Sequence, residues 1–157
     1  MEQLKRILLV EDDEYDVELT LESLNLYNLA NEVVVARDGE EALDYLYRRG
    51  TFANVPKGNP AVILLDIKMP KVSGLEVLRT IRGDETLKMI PVVMLTSSRE
   101  EPDLKECYNL GVNAYVVKPV DVHQFMEAIK ELGVFWAVIN EPPLGCLRKK
   151  PRGGDNL

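Results

Sequence analysis

Five short apolar runs, rich in valine and isoleucine, alternate along this chain with segments whose apolar residues recur every three or four positions. The runs are RILLV (6–10), VVVA (33–36), AVILL (61–65), PVVML (91–95) and AYVV (114–117). Their length and lack of polar alternation predict strands buried on both faces. Between them, Val17, Thr20, Leu21 and Leu24 share one helical face, as do Ala42, Leu43 and Leu46. Start and stop signals agree with this periodicity. Ser73 and Glu76 have the spacing of a capping box, with Gly83 after the helix's last turn. A fourth helix is expected from near Pro102 to Gly111. A fifth begins with Asp121 as cap and Gln124 reaching back.

Five strands alternating with five helices imply an α/β fold, a doubly wound parallel sheet with helices on both faces. Parallel neighbours need crossover connections, and these are right-handed. In such sheets ligands bind beyond the carboxyl ends of the strands, where strand order reverses. Function is to be sought there.

The residues at those ends form a pattern. Glu11, Asp12 and Asp13 follow the first strand, Asp66 the third and Lys118 the fifth, while Thr96 ends the fourth. Singly, each has an ordinary explanation. An acid after a strand is commonly a helix cap or turn former, and a lone lysine a solvated charge. Together they share one sheet edge. Carboxylates gathered there repel one another and call for a cation, and oxygen ligands without a nearby histidine favour Mg2+ over zinc. A lysine and a hydroxyl beside them suit a phosphoryl group, whose charge they would neutralise. A carboxylate can itself be the nucleophile and form an acyl phosphate. Asp66 is placed for that role, and Pro70 keeps a helix from starting too early after it.

The segments LLVEDD (8–13), LLDIKMPKVSG (64–74), VVMLTSS (92–98) and GVNAYVVKPVD (111–121) resemble the receiver domain of two-component response regulators. The resemblance spans about residues 6 to 132. It implies a flavodoxin-like strand order 2-1-3-4-5. It also implies Asp66 as phosphoacceptor, Glu11 and Asp12 as the acidic pair that binds Mg2+, and the carbonyl of Lys68 as a further metal ligand. Thr96 resembles the hydroxyl that bonds the phosphoryl group, Tyr115 the aromatic switch, and Lys118 the cation that senses the new charge. A cis bond between Lys118 and Pro119 is implied by the same likeness.

The implied function is a single-domain response regulator that takes its phosphoryl group from a sensor histidine kinase. It would promote its own phosphorylation and dephosphorylation and signal by protein contact. The alternative is a Mg2+-dependent phosphohydrolase with an aspartyl nucleophile, which would normally need a second acid for the leaving group and a cap against water. The insertion at 50–59 and the ending FWAVINEPP (135–143) are similar to the regulators of bacterial, especially cyanobacterial, phytochrome kinases.

The receiver domain is expected over residues 1–140, followed by a flexible tail at 141–157. A fifth helix running to Asn140 would overhang the sheet, with Phe125, Ile129, Leu132, Trp136 and Ile139 at seam spacing. A homodimer contact is predicted there, centred on Phe135, Trp136 and Ile139, unless Gly133 breaks the helix. The net charge of -7 argues against broad nucleic-acid binding, and the four cations of the tail read as solvated. No apolar stretch has the length to span a bilayer, and acids follow the first apolar run too soon for a signal peptide. Cys107 and Cys146 have no metal-ligand spacing. Together these features predict a cytoplasmic protein with no membrane partner.

Overall fold

In a computed structural model, residues 6–26, 32–97, 101–112 and 114–132 are described. The predicted alternation is present as β1 (Arg6–Val10), α1 (Glu14–Leu26), β2 (Glu32–Ala36), α2 (Gly39–Tyr47), β3 (Val62–Asp66), α3 (Gly74–Arg82), β4 (Val92–Thr96), α4 (Leu104–Asn109), β5 (Ala114–Val117) and α5 (Val122–Leu132). The strands form one parallel sheet in the order β2-β1-β3-β4-β5. Order reverses between β1 and β3, whose carboxyl ends therefore open a crevice.

Alternate strand residues feed two cores. Leu8, Val10, Ile63, Leu65, Val92 and Met94 pack with α2, α3 and α4. Ile7, Leu9, Val62, Leu64, Val93 and Leu95 pack with α1 and α5, where Val17, Leu24, Phe125 and Ile129 supply the helical side. Both faces are thus covered, as a parallel sheet requires. One expectation needs correction: only the three central strands are buried on both faces, β3 and β4 throughout and β1 beyond Arg6. The edge strands β2 and β5 are partly open, because each has a neighbour on one side only.

Helix starts follow the sequence at α3, where Ser73 and Glu76 form the reciprocal capping box and Gly83 is the C-cap. At α5 they do not. Asp121 Oδ1 accepts from His123 N, but Gln124 Oε1 accepts from Val117 N and so ties the helix to β5 instead of closing a box. The fourth helix is shorter than predicted, and Gly111 beyond it has a φ of +89°.

The 50–59 insertion is an ordered turn set against α2. Gly50–Phe52 form a short 3-10 helix, and the Phe52 ring meets Tyr45 edge-on at 5.3 Å. Arg48 lies over the other part of Tyr45 and donates to the carbonyls of Val55, Pro56 and Gly58. Tyr45, absent from the predicted helical face, is among the largest fully buried side chains.

Among the described residues, no helix is long and apolar enough to cross a membrane. Phe135, Trp136 and Ile139, the overhang of α5 and the tail at 141–157 lie outside the described residues, as does Ser98.

Candidate phosphoryl site

The register of the sheet builds the site. Val10 pairs with Leu65, so Glu11 stands level with Asp66, the last residue of β3. Asp66 pairs in turn with Leu95, and Thr96 with Val117. The backbone N–H of Lys118 donates to the carbonyl of Thr96 at 2.7 Å, which holds the start of the β5–α5 loop against β4. The Lys118–Pro119 peptide is cis.

Lys118 reaches back across the crevice. Its Nζ lies 3.2 Å from Glu11 Oε1, 3.1 Å from Asp16 Oδ2 and 3.3 Å from Asp66 Oδ2. Glu11 is fully buried, and Asp66 is 4% exposed. Glu11, Asp12 and Asp66 each offer a carboxylate oxygen, all within 4.8 Å of one another. Three oxygens at that separation fit a small hard divalent cation. Thr96, itself buried, and Lys68 line the same cleft. The Lys68 N–H donates to Asp66 Oδ1 at 3.4 Å.

The charges are far from their solution behaviour. Burial and the neighbouring Asp66 charge push Glu11 up to about 7 from an ordinary 4.5, against the pull of Lys118. Burial likewise raises Asp66, with Lys118 opposing. For Lys118, burial alone would favour the neutral amine, but the Asp66 and Glu11 carboxylates outweigh it and hold the ammonium charged. Two buried acids and one cation leave negative charge that a divalent ion would offset.

The predicted site residues divide. Glu11, Asp12, Asp66, Lys68, Thr96 and Lys118 come together in this cleft. Tyr115 does not line it. Its ring meets Tyr108 edge-on at 6.4 Å and faces a separate groove between α4, β5 and α5. Asp13, counted with the acids at the end of β1, serves as a helix cap: its Oδ1 accepts from Asp16 N at 3.0 Å.

Two cleft residues were missed in the sequence. Asp16, in the first turn of α1, is the third carboxylate on Lys118. Glu101, in the loop before α4, has a side chain only 6% exposed and pairs with Lys68 Nζ at 3.6 Å. The available signal for Asp16 was its position in the first turn of the helix that begins at the acidic pair. Glu101 carried none.

A family model described as the response regulator receiver domain matches residues 7–130. The response regulator Rcp1 of Synechocystis sp. is 39% identical over 132 residues, covering 84% of this chain and 88% of Rcp1. A solved structure of Rcp1 in its Mn2+-bound form aligns with a TM-score of 0.69 and 37% identity, over 88% of this chain and 99% of that one. The bacteriophytochrome response regulator AtBRR aligns with a TM-score of 0.82 and 64% identity, over 89% of this chain and 100% of AtBRR. The phosphorylated cyanobacterial phytochrome response regulator RcpA aligns with a TM-score of 0.69 and 43% identity, over 85% and 94%.

Proposed function

The chain belongs to the response regulator receiver family, and from that premise we propose that Asp66 is the phosphoacceptor of a phytochrome-linked two-component system. A carboxylate oxygen of Asp66 attacks the phosphorus of a kinase phosphohistidine. The O–P bond forms as the P–N bond breaks, and the ring, protonated on its other nitrogen, leaves as neutral imidazole with the bonding electron pair. The observation that carries this reading is the meeting of Lys118 Nζ with Asp66 Oδ2 at 3.3 Å, where the Asp66 carboxylate clusters with those of Glu11 and Asp12.

Mg2+ held by Glu11, Asp12 and Asp66, with the Lys68 carbonyl as a further ligand, would offset charge on the phosphoryl oxygens. Lys118 and Thr96 bond those oxygens through N–H and O–H. Both lie at loop starts, so the new charge draws the β4–α4 and β5–α5 loops inward. Tyr115 reports that movement to the groove beside Tyr108, where α4, β5 and α5 meet and a target protein would read it. The same site promotes loss of the phosphoryl group to water, and Lys68 paired with Glu101 stands where water would approach.

A phytochrome-type sensor histidine kinase as donor is supported by what AtBRR and RcpA are named for. The remaining parts of the reading are a cytoplasmic location and a homodimer contact at Phe135, Trp136 and Ile139, without nucleic-acid or membrane partners. Incubation with acetyl phosphate and Mg2+, followed by peptide mass spectrometry, tests the central step. An adduct on Asp66, absent from Asp66→Asn, is the expected result. Repeated turnover without an adduct would instead favour the phosphohydrolase, and no reaction would sink both.

A further inference from the structure

Asp16 plays no part in the roles assigned so far, yet it makes the shortest of the three ion pairs at Lys118. An ammonium has three N–H donors. Here all three have a carboxylate within reach: Glu11 Oε1, Asp16 Oδ2 and Asp66 Oδ2. Two of those acceptors, Glu11 and Asp66, also belong to the cluster with Asp12 that fits a divalent cation, and Asp16 does not. A carboxylate shared with such a cation offers the ammonium less negative charge. Asp16 therefore keeps its whole charge for Lys118 in the loaded site. It is also held in place: its N–H donates to the Asp13 cap, and α1 is seated on the sheet through Val17 and Leu24.

Resting on the phosphoacceptor reading, we propose that Asp16 is a positioning residue for Lys118, keeping the ammonium over Asp66 so that the N–H now given to Asp66 Oδ2 passes to the incoming phosphoryl oxygen. Lys118 moves no proton in this step. Without Asp16 the flexible lysine arm has only the two cation-sharing carboxylates to hold it, and it spends more time in solvent. The ordinary role of a first-turn acid, complementing the helix dipole, is filled in the same turn by Glu14, which pairs with Arg37.

Asp16→Asn keeps the shape and removes the charge. In metal-free protein, labelling of Lys118 by an amine-acetylating reagent, followed by mass spectrometry, should quicken about fivefold, as loss of a modest ion pair frees the amine. Glu14→Gln should label at the parent rate. With acetyl phosphate and Mg2+, adduct formation on Asp66 in Asp16→Asn should slow about tenfold, the lower end of what loss of an orienting outer partner costs. Mn2+ affinity by calorimetry should change by no more than about fivefold, whereas Asp12→Asn loses it.

Unchanged Lys118 labelling would overturn the proposal. So would an equal effect of Glu14→Gln, which would make the role helical, or a loss of Mn2+ affinity matching Asp12→Asn, which would make Asp16 a cation ligand. If the parent forms no adduct, it is the phosphoacceptor reading that fails. The labelling comparison, run without metal or phosphodonor, still decides whether Asp16 holds Lys118.

Discussion

Gly74 and Asp66 touch through their backbones: a Cβ at Gly74 would stand 2.0 Å from the Asp66 carbonyl oxygen and 2.9 Å from its carbonyl carbon. The Gly74 N–H donates to the Ile67 carbonyl at 2.9 Å, so the start of α3 is pinned beneath the residue after Asp66. The glycine in LLDIKMPKVSG is thus demanded by close approach, and it sets where the Asp66 carboxylate stands. Gly74→Ala should lower unfolding free energy by about 3 kcal/mol, because the neighbour that must yield is backbone rather than a flexible side chain. Urea denaturation with an unchanged slope would measure it, and a midpoint equal to the parent's would refute the close packing.

Glu11 makes stability depend on pH. Between its ordinary 4.5 and its folded value of about 7, the native protein holds a proton that the unfolded chain has released. Stability from this group is full below 4.5 and is lost as pH rises through 7. In divalent-free buffer, the parent should therefore lose on the order of 3 kcal/mol relative to Glu11→Gln across that interval. Parallel curves for the two proteins would contradict the buried, proton-holding glutamate.

A divalent cation should reverse that loss. An ion that binds only the folded chain stabilises it by about 2.7 kcal/mol at a hundred times its dissociation constant. Mg2+ added to the parent at pH 7.5 should raise the thermal midpoint, and a chelator should restore it. Asp12→Asn, altering an exposed member of the oxygen cluster, should abolish the rise with little effect on the metal-free midpoint. A rise that persisted in Asp12→Asn would remove Asp12 from the cation's ligands.

Arg48 holds the 50–59 insertion in its turn. Its guanidinium spans three carbonyls of the insertion and lies 4.5 Å from the centroid of Tyr45, a geometry an ammonium cannot reproduce. Both Arg48→Ala and Arg48→Lys should make residues 50–59 a preferred site for limited proteolysis. Adduct formation on Asp66, at the opposite end of the strands, should be unaffected. Resistance equal to the parent's in both variants would show that Phe52 on Tyr45 suffices to hold the turn.

Local chemistry made most of this protein legible as a string of residues. Short apolar runs separated by amphipathic segments lead to a doubly wound sheet. Ser73, Glu76 and Gly83 mark one helix to the residue. The convergence of Glu11, Asp12, Asp66, Thr96 and Lys118 follows because parallel strands present all their carboxyl ends on one edge. What required the folded chain was the aim of side chains across elements. Glu14 and Asp16 are both acids in the first turn of α1, yet one pairs with Arg37 and the other with Lys118, since only the seating of α1 on the sheet decides which points at the crevice. Gln124 has capping-box spacing, but its Oε1 accepts from the Val117 N–H of the edge strand β5 instead. Periodicity settles which face of a helix is apolar. The distances between polar groups on different helices and strands depend on packing angles, which tertiary contacts alone establish.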